Sequence, residues 1–165
     1  MVHDLFEDSL EDREDFDITV VIYGDFLVRL KMVRVDLVEI GKIRRGIPGI
    51  ALRTTFIVGF PGETQEQFEE LLAFIAEAKF ERLGIFTYSQ EDHTPAGTMD
   101  DQLSAKLKKQ RYRRAMTLQQ KVSREVQRGF VGRTLRVLVE KPASATKKTW
   151  VGRSHADAPE IDGTV

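Results

Sequence analysis

A strand, a turn, a helix and a second strand follow one another in the middle of this chain, and this order constrains the fold most strongly. Residues 51–60 are mostly apolar, which predicts a strand buried on both faces, and a Pro-Gly pair ends the run. Thr64 and Gln67 form the T-x-x-Q pattern of a helix capping box. Residues 83–88 are a second apolar run. The order predicts a βαβ unit with parallel strands and a right-handed crossover. The predicted helix carries an apolar stripe of four residues: Phe68, Leu71, Leu72 and Ile75.

The segment before this unit has a different character. Residues 1–17 are rich in Asp and Glu and predict an acidic tail. Two runs of strand-forming residues, 18–23 and 26–35, meet at a Gly-Asp turn and predict a β-hairpin. Asp36 is then a candidate cap for a short helix that ends at Gly46.

Composition excludes several classes of protein. The chain has 25 Lys and Arg against 26 Asp and Glu, so its net charge of −1 indicates no particular partner. No run of about 18 apolar residues predicts a membrane span, and the acidic start is unlike a signal peptide, so we expect a cytoplasmic protein without membrane contact. The absence of cysteine excludes disulfides and thiolate-bound zinc or iron–sulfur clusters. His93 lies in a polar loop without a second histidine at ligand spacing, which favours an exposed side chain over a metal ligand.

The carboxyl ends of the two central strands are the first candidate site. Ligands of parallel sheets collect at this end of the strands. Gly59 would let a flat ring approach the backbone, and Gly62 with the amides at Thr64 opens a helix that attracts anions. Tyr88 and Ser89 end the neighbouring strand and could donate hydrogen bonds into the same mouth. The alternative is a tight βα turn that needs glycine and proline for its geometry alone.

A long basic helix is predicted over residues 102–128. Its regular Lys and Arg residues could meet RNA phosphates or an acidic protein. Tyr112 is its one aromatic residue, so the stacking residues of a single-strand RNA reader are absent. The pattern therefore favours a scaffold helix with a solvated basic face, with weak RNA contact as the alternative.

The end of the chain predicts a small β module. Residues 134–140 and 149–155 are typical of strands, and a turn with three carboxylates follows them: Asp157, Glu160 and Asp162. These carboxylates could bind a divalent cation, but their spacing is not that of an EF-hand loop. An acidic turn is the interpretation that the residues themselves favour.

Several of these segments together resemble the second half of the radical-SAM methylthiotransferases. The resemblance rests on residues 53–64 (RTTFIVGFPGET) and on residues 86–96 with their FTYS and TPA elements. Gln119 and Gln120, followed by VGRT at residues 131–134, resemble the helix that leads into the family's TRAM module. The DAPEIDG motif at residues 157–163 is closer to the ribosomal-protein branch than to the tRNA-modifying branch.

The resemblance covers residues 37–165 and implies an α/β fold, the C-terminal part of a radical-SAM partial (β/α) barrel, followed by a truncated OB-like antiparallel β module (TRAM). It implies transfer of a methylthio group to an aspartate of ribosomal protein S-twelve, a small-subunit protein, with S-adenosylmethionine and two [4Fe–4S] clusters. It also implies four segments: an atypical tail and hairpin (1–36), a partial barrel (37–99), a basic linker helix (100–130) and the truncated TRAM module (131–165).

The resemblance also assigns site residues. The segment from Ile57 to Glu63, with Gly59, would lie on the adenine side of S-adenosylmethionine, and Tyr88 and Ser89 would face the same cavity. The turn with Asp157, Glu160 and Asp162 would help to hold the substrate protein.

The chain departs from the family pattern at the residues that carry the chemistry. The CxxxCxxC motif and all other cysteines are absent, so neither cluster can be bound and we expect no activity from this chain alone. Residues 1–36 do not resemble the family. Two alternatives stay open: a non-catalytic module that binds RNA or ribosomal protein through the basic helix and the TRAM half, and a piece of a tRNA methylthiotransferase.

Overall fold

The structure, a computed structural model, describes residues 18–23, 37–144, 148–158, 162 and 164. These residues belong to two compact units, one formed by residues 18–133 and the other lying within residues 134–165. The predicted acidic tail, the second strand of the predicted hairpin and the predicted cap Asp36 lie outside the described residues.

The first unit is a parallel sheet with helices. Its three strands have the order β1-β2-β3, and both neighbouring pairs are parallel. This confirms the predicted parallel pairing of the two central strands. The elements in chain order are β1 (Ile18–Tyr23), α1 (Leu37–Gly46), β2 (Leu52–Val58), α2 (Gln65–Ala78), β3 (Arg82–Thr87), a short 3₁₀ turn (Ala96–Thr98) and α3 (Ala105–Arg128).

Strand β1 is part of this sheet. It pairs with β2 over its whole length, from Ile18 opposite Leu52 to Tyr23 opposite Ile57. The sequence predicted this strand correctly but assigned it to a hairpin outside the unit. Its described neighbour is β2, so residues 18–23 extend the parallel sheet by one strand.

The prediction that β2 is buried on both faces is wrong. Burial alternates along the strand: Leu52, Phe56 and Val58 are buried, whereas Thr55 and Ile57 between them are only half-buried. The cause is that the helices share one core on one face of the sheet. That core includes side chains from α1, α2, α3 and the turn after α2: Ile40, Phe68, Leu71, Ile75, Phe80 and Ala115.

Helix α2 begins with the capping box that its sequence predicts. The Thr64 hydroxyl accepts a hydrogen bond from the Gln67 amide (3.2 Å), and the Gln67 side chain accepts one from the Thr64 amide (2.8 Å). Lys79 ends the helix in the left-handed conformation, with φ of 49°. The helix thereby holds Glu63, the residue before its cap, at the carboxyl end of β2.

The second unit contains a two-stranded antiparallel sheet. Strand β4 (Val137–Pro142) pairs with β5 (Trp150–Ser154), with an irregularity between Val139 and Lys141. Both strands were predicted: the first begins and ends two to three residues later than the predicted 134–140, and the second is slightly shorter than the predicted 149–155. Position 152 requires glycine, because a Cβ there would lie 2.5 Å from the Leu138 carbonyl oxygen.

Replacing Thr64 with alanine should destabilise the protein by about 1 kcal/mol, because the Gln67 amide loses its partner in the first turn of α2. Denaturant unfolding followed by circular dichroism measures the change. Thr117→Ala is the matched control, since Thr117 is exposed in the interior of α3 and its replacement should be neutral within about 0.5 kcal/mol. Equal effects of the two substitutions would show that the capping box does not stabilise the fold.

Candidate functional site

The loop that follows β2 is closed by its own glutamate. The Gly59 amide donates a hydrogen bond to the Glu63 carboxylate (2.9 Å), and the Glu63 amide donates one to the Phe60 carbonyl (3.0 Å). Gly59 and Gly62 have φ of 78° and 77°, a conformation that residues with a side chain rarely adopt. The loop is therefore a fixed turn rather than an open strand end.

Arg111 of helix α3 binds this loop from outside. Its guanidinium forms an ion pair with the Glu63 carboxylate and donates a hydrogen bond to the Glu63 carbonyl (2.9 Å). The two side chains are 4% and 3% exposed, and the guanidinium also lies over the Phe68 ring at 5.3 Å. The sequence placed Arg111 on a solvated basic face, which is wrong for this residue. It anchors α3 to the end of β2.

Burial dominates the electrostatics of Glu63. It raises the pKa of the Glu63 carboxyl above the ordinary value, because a carboxylate loses its hydration in the interior. The Gly59 amide and the Arg111 guanidinium act in the opposite direction, since both favour the ionised form.

Tyr88, at the end of β3, is held by a second side chain of α3. The Lys108 ammonium donates a hydrogen bond to the Tyr88 carbonyl (3.2 Å) and lies 4.7 Å from the centre of the Tyr88 ring. The ring also packs against Phe60, with 5.2 Å between centroids. Among the described residues, the buried Tyr88 hydroxyl has no hydrogen-bond partner. It is a buried polar atom that a ligand could satisfy.

Other parts of the chain closely approach Gly59 and Gly62, and the approach of a ligand to Gly59 stays a prediction. A Cβ at Gly59 would lie 2.6 Å from the Cγ of Lys108, and a Cβ at Gly62 would collide with the Asp101 carboxylate. The Gly62 amide also donates a hydrogen bond to the Asp101 carbonyl (3.0 Å). These positions are glycine because the protein's own chain approaches them, which supports the predicted alternative of a turn that needs glycine.

The remaining predicted mouth residues differ in exposure. Ile57 is half-buried on the face of the sheet opposite the core, and Phe86 on the same face is 61% exposed. Ser89 is exposed and donates a hydrogen bond to Glu91 (3.1 Å). Of the predicted site residues at the strand ends, Ser89 is therefore the most accessible to a ligand.

The prediction that His93 is exposed is confirmed, and its φ is 65°. Within the part of the chain that the structure describes, no three His, Asp or Glu side chains are grouped so that they could hold a metal ion.

The acidic turn after β5 is built by its own carboxylates. Asp157 is buried, and its carboxylate accepts hydrogen bonds from the amide (2.9 Å) and hydroxyl (2.6 Å) of Ser154. Asp162 accepts a hydrogen bond from the Ala158 amide (2.7 Å). Glu160 lies outside the described residues. The contacts favour the predicted acidic turn, and a role of these residues in substrate binding stays a prediction.

Sequence reasoning missed three residues of this site: Asp101, Lys108 and Arg111. The available signal was spacing, because Arg111 lies four residues before Ala115 and therefore on the same side of α3 as this small apolar residue. Because Arg111 is charged, its side chain was expected to face solvent.

Comparison with known proteins shows that this chain is similar to one domain family and to one group of enzymes. Residues 131–165 match the TRAM domain family. Over 126 residues, or 76% of the chain, the sequence is 60% identical to a ribosomal protein uS12 methylthiotransferase from Opitutus terrae. The methylthiotransferase of the same name from Desulforamulus reducens is 52% identical over 126 residues, and that from Heliobacterium modesticaldum is 50% identical over 123.

The relatives are the uS12 methylthiotransferases called RimO. The predicted resemblance to the ribosomal-protein branch of the methylthiotransferases, with its TRAM module, is thereby confirmed. The matched stretch covers 74% to 76% of this chain in the three relatives, but only 25% to 28% of their own length. The chain therefore spans about a quarter of the relatives that it matches.

Two further observations concern cofactors and membranes. The chain contains no cysteine, so its residues do not fit the cysteine-held clusters that the resemblance implies. None of the helices in the described ranges combines the length and the apolar character that a bilayer crossing requires.

Replacing Arg111 with methionine should cost about 3–5 kcal/mol of stability, because it leaves the Glu63 carboxylate buried without its partner. Urea unfolding measures the loss. Arg113→Met on the exposed side of the same helix is the control and should change stability by less than about 0.5 kcal/mol. Similar effects of the two substitutions would contradict the assignment of Arg111 as an anchor.

Gly59→Ala should destabilise the protein more than Gly62→Ala. Both substitutions carry the left-handed backbone cost of about 1–2 kcal/mol. Only Gly59 faces the Cβ and backbone of Lys108, whereas Gly62 faces the movable end of the Asp101 side chain. Gly46→Ala, where a Cβ meets nothing within 4 Å, is the control. Thermal unfolding of the three variants gives the order, and the reverse order would contradict the packing of α3 on Gly59.

The free energy of unfolding of the wild type minus that of Glu63→Gln should become more positive as the pH falls from neutral towards about 4.5. A carboxyl with a raised pKa takes up a proton more readily in the folded state, so its contribution to stability increases as the pH falls through that pKa. Urea unfolding of both proteins at a series of pH values measures the difference. A difference that shrinks as the pH falls would mean that Arg111 and the Gly59 amide outweigh burial.

Proposed function

We propose that this chain supplies the late barrel strands, the linker helix and the first part of the TRAM module of a uS12 methylthiotransferase. The observation that carries the proposal is the 48% to 60% identity to relatives of that name over three quarters of the chain. The parallel order of β2 and β3, with their carboxyl ends at one mouth, agrees with late strands of an α/β barrel. The proposed substrate is the ribosomal small-subunit protein uS12, so we expect the protein to act in the cytoplasm.

Within that function, the strand ends form part of the S-adenosylmethionine site. Tyr88 supports this role because its buried hydroxyl lacks a partner among the described residues. Ile57 offers an apolar, half-buried side chain on the face of the sheet opposite the core, where we place the adenine ring. S-adenosylmethionine would bring the group-transfer chemistry, and these residues would bind and orient it. Ser89 is accessible for a further hydrogen bond.

Glu63 and Gly59 have a positioning role in this proposal. The Glu63 carboxylate is already bound to the Gly59 amide and to Arg111, so in this proposal it shapes the turn on the adenine side of the cofactor. A fixed turn keeps the neighbouring strand ends at a constant distance. That constancy is what a cofactor site needs, because small displacements of positioning groups weaken catalysis strongly.

The chain cannot perform the reaction alone. Thiolates are required to hold the clusters, and the chain has none, so the cluster ligands must come from another polypeptide segment. The turn with Asp157 and Asp162 would present the TRAM half to the substrate protein, with Glu160 as a further candidate contact. The printed names of the relatives favour uS12 over tRNA as the substrate class.

A chimera tests this proposal most directly. The matched 126-residue stretch of this chain replaces its counterpart in the Opitutus terrae relative, and the chimera is expressed in bacteria that lack their own uS12 methylthiotransferase. Mass spectrometry of uS12 then reports methylthiolation of its aspartate. We expect modification by the chimera and none by this chain alone.

Two controls make the result informative. The relative without the stretch should be inactive, and the chimera with Tyr88→Phe should bind S-adenosylmethionine more weakly because it lacks the hydroxyl. A soluble, cluster-loaded chimera that leaves uS12 unmodified would overturn the proposal. Modification of uS12 by this chain alone would overturn the statement that another segment is required.

A further inference from the structure

Helix α3 has a second face that takes no part in the strand-end site. Its buried side carries Arg111, Ala115, Gln119 and Val122. The opposite side is exposed and strongly basic, and it runs the whole length of the helix. Six cations lie on it: Lys106, Lys109, Arg113, Lys121, Arg124 and Arg128.

The spacing of these cations makes two equal groups. Residues 106, 109 and 113 follow each other at intervals of three and four, and residues 121, 124 and 128 repeat the same intervals. At about 1.5 Å per residue, the groups are about 12 Å apart along the axis and the whole face is about 33 Å long. At 3.6 residues per turn, the second group is rotated by roughly 60° from the first.

Few acidic side chains neutralise the positive charge of this face. The ion pairs of α3 with the described acids lie elsewhere, as Arg114 pairs with Glu69 (2.7 Å) and Glu125 with Lys79 (2.9 Å). The hydrogen bond and charge of Lys79 lower the pKa of the Glu125 carboxyl, and the charge of Arg128 acts in the same direction. Among the residues that the structure describes, the side chains of the other five cations make no hydrogen bond or ion pair.

The residues between the cations indicate the class of partner. Gln110, Thr117 and Gln120 are exposed on this face, and no aliphatic or aromatic side chain interrupts it. Protein interfaces need apolar or aromatic anchors and are depleted in lysine, so this face is a poor protein-binding surface. Single-strand readers stack bases on aromatic residues, and Tyr112 lies off this face. Lys, Arg, Gln and Thr together are the side chains that contact phosphate and sugar of a nucleic-acid backbone.

We propose that this face of α3 binds the sugar–phosphate backbone of double-stranded RNA. Double-helical RNA is recognised through its shape, its phosphates and its 2′-hydroxyls, which glutamine and threonine can bond. The two cation groups contact phosphates on the two sides of a groove, and the amide and hydroxyl side chains between them face the sugars. This interaction is independent of the transferase assignment, since it rests on α3 alone.

The test uses the full chain and a fluorescently labelled RNA duplex of about 20 base pairs, a length comparable to the site of a double-strand-binding domain. Fluorescence anisotropy measures the affinity between 50 and 200 mM salt. Six phosphate contacts should lower the affinity about 1800-fold over that range, because each contact adds about 0.9 to the slope of log affinity against log salt.

Two triple variants separate the face from net charge. Lys106→Gln, Lys109→Gln and Arg113→Gln together should remove three contacts and reduce the salt effect to about 40-fold. The control combines Lys42→Gln, Arg45→Gln and Lys141→Gln, three exposed bases outside α3 that change the net charge equally. It should keep the wild-type slope.

Several results would overturn the proposal. One is the absence of binding at 50 mM salt, and another is an equal loss of affinity in the control variant. Equal or tighter binding of a polyglutamate peptide would assign the face to an acidic protein. Equal or tighter binding of the single strand or of the corresponding DNA duplex would assign it to another nucleic acid.

Discussion

The ion pair between Glu63 and Arg111 joins parts of the chain that are 48 residues apart, and the geometry of the candidate site depends on it. The carboxylate also holds the Gly59 amide, so one side chain closes the turn and anchors a helix to it. Burying both charges costs hydration that the pair must recover through close contact and hydrogen bonds. The Nε of Arg111 has no partner among the described residues, so the compensation is incomplete. The pair therefore specifies where α3 sits more than it adds stability.

Lys108 and Asp101 extend this specification along the chain. Lys108 lies one helical turn before Arg111 and holds the end of β3, whereas Arg111 holds the end of β2. The carbonyl of Asp101, just before the helix begins, accepts a hydrogen bond from the Gly62 amide. Each contact needs α3 in one register, and the small glycine at position 59 allows the close approach. We therefore expect the two strand ends and the first turns of α3 to move together, so that a displacement of the helix would change the geometry at the strand ends.

Local sequence patterns predicted the elements well and the site poorly. The capping box at Thr64, the parallel pairing of β2 with β3 and the long helix all follow from short-range signals, and the structure confirms them. The role of Arg111 could not be read in this way, because it depends on a partner distant in sequence and contradicts the usual preference of arginine for solvent. The close contact at Gly59 was missed for a similar reason, since the approaching atoms belong to Lys108. The resemblance to methylthiotransferases came from motifs and did not require any of these contacts.

Hydrogen exchange of the Gly59 amide, followed by NMR at increasing denaturant concentration, tests the central claim that the turn and the helix form one unit. The account predicts that Gly59 opens with a free energy within about 1 kcal/mol of that of Ala115 in the middle of α3, and with the same denaturant dependence. Both amides would then exchange only when the helix and the turn open together. Fast exchange of Gly59 without denaturant dependence, beside a protected Ala115, would show that the turn opens by itself and would contradict the account.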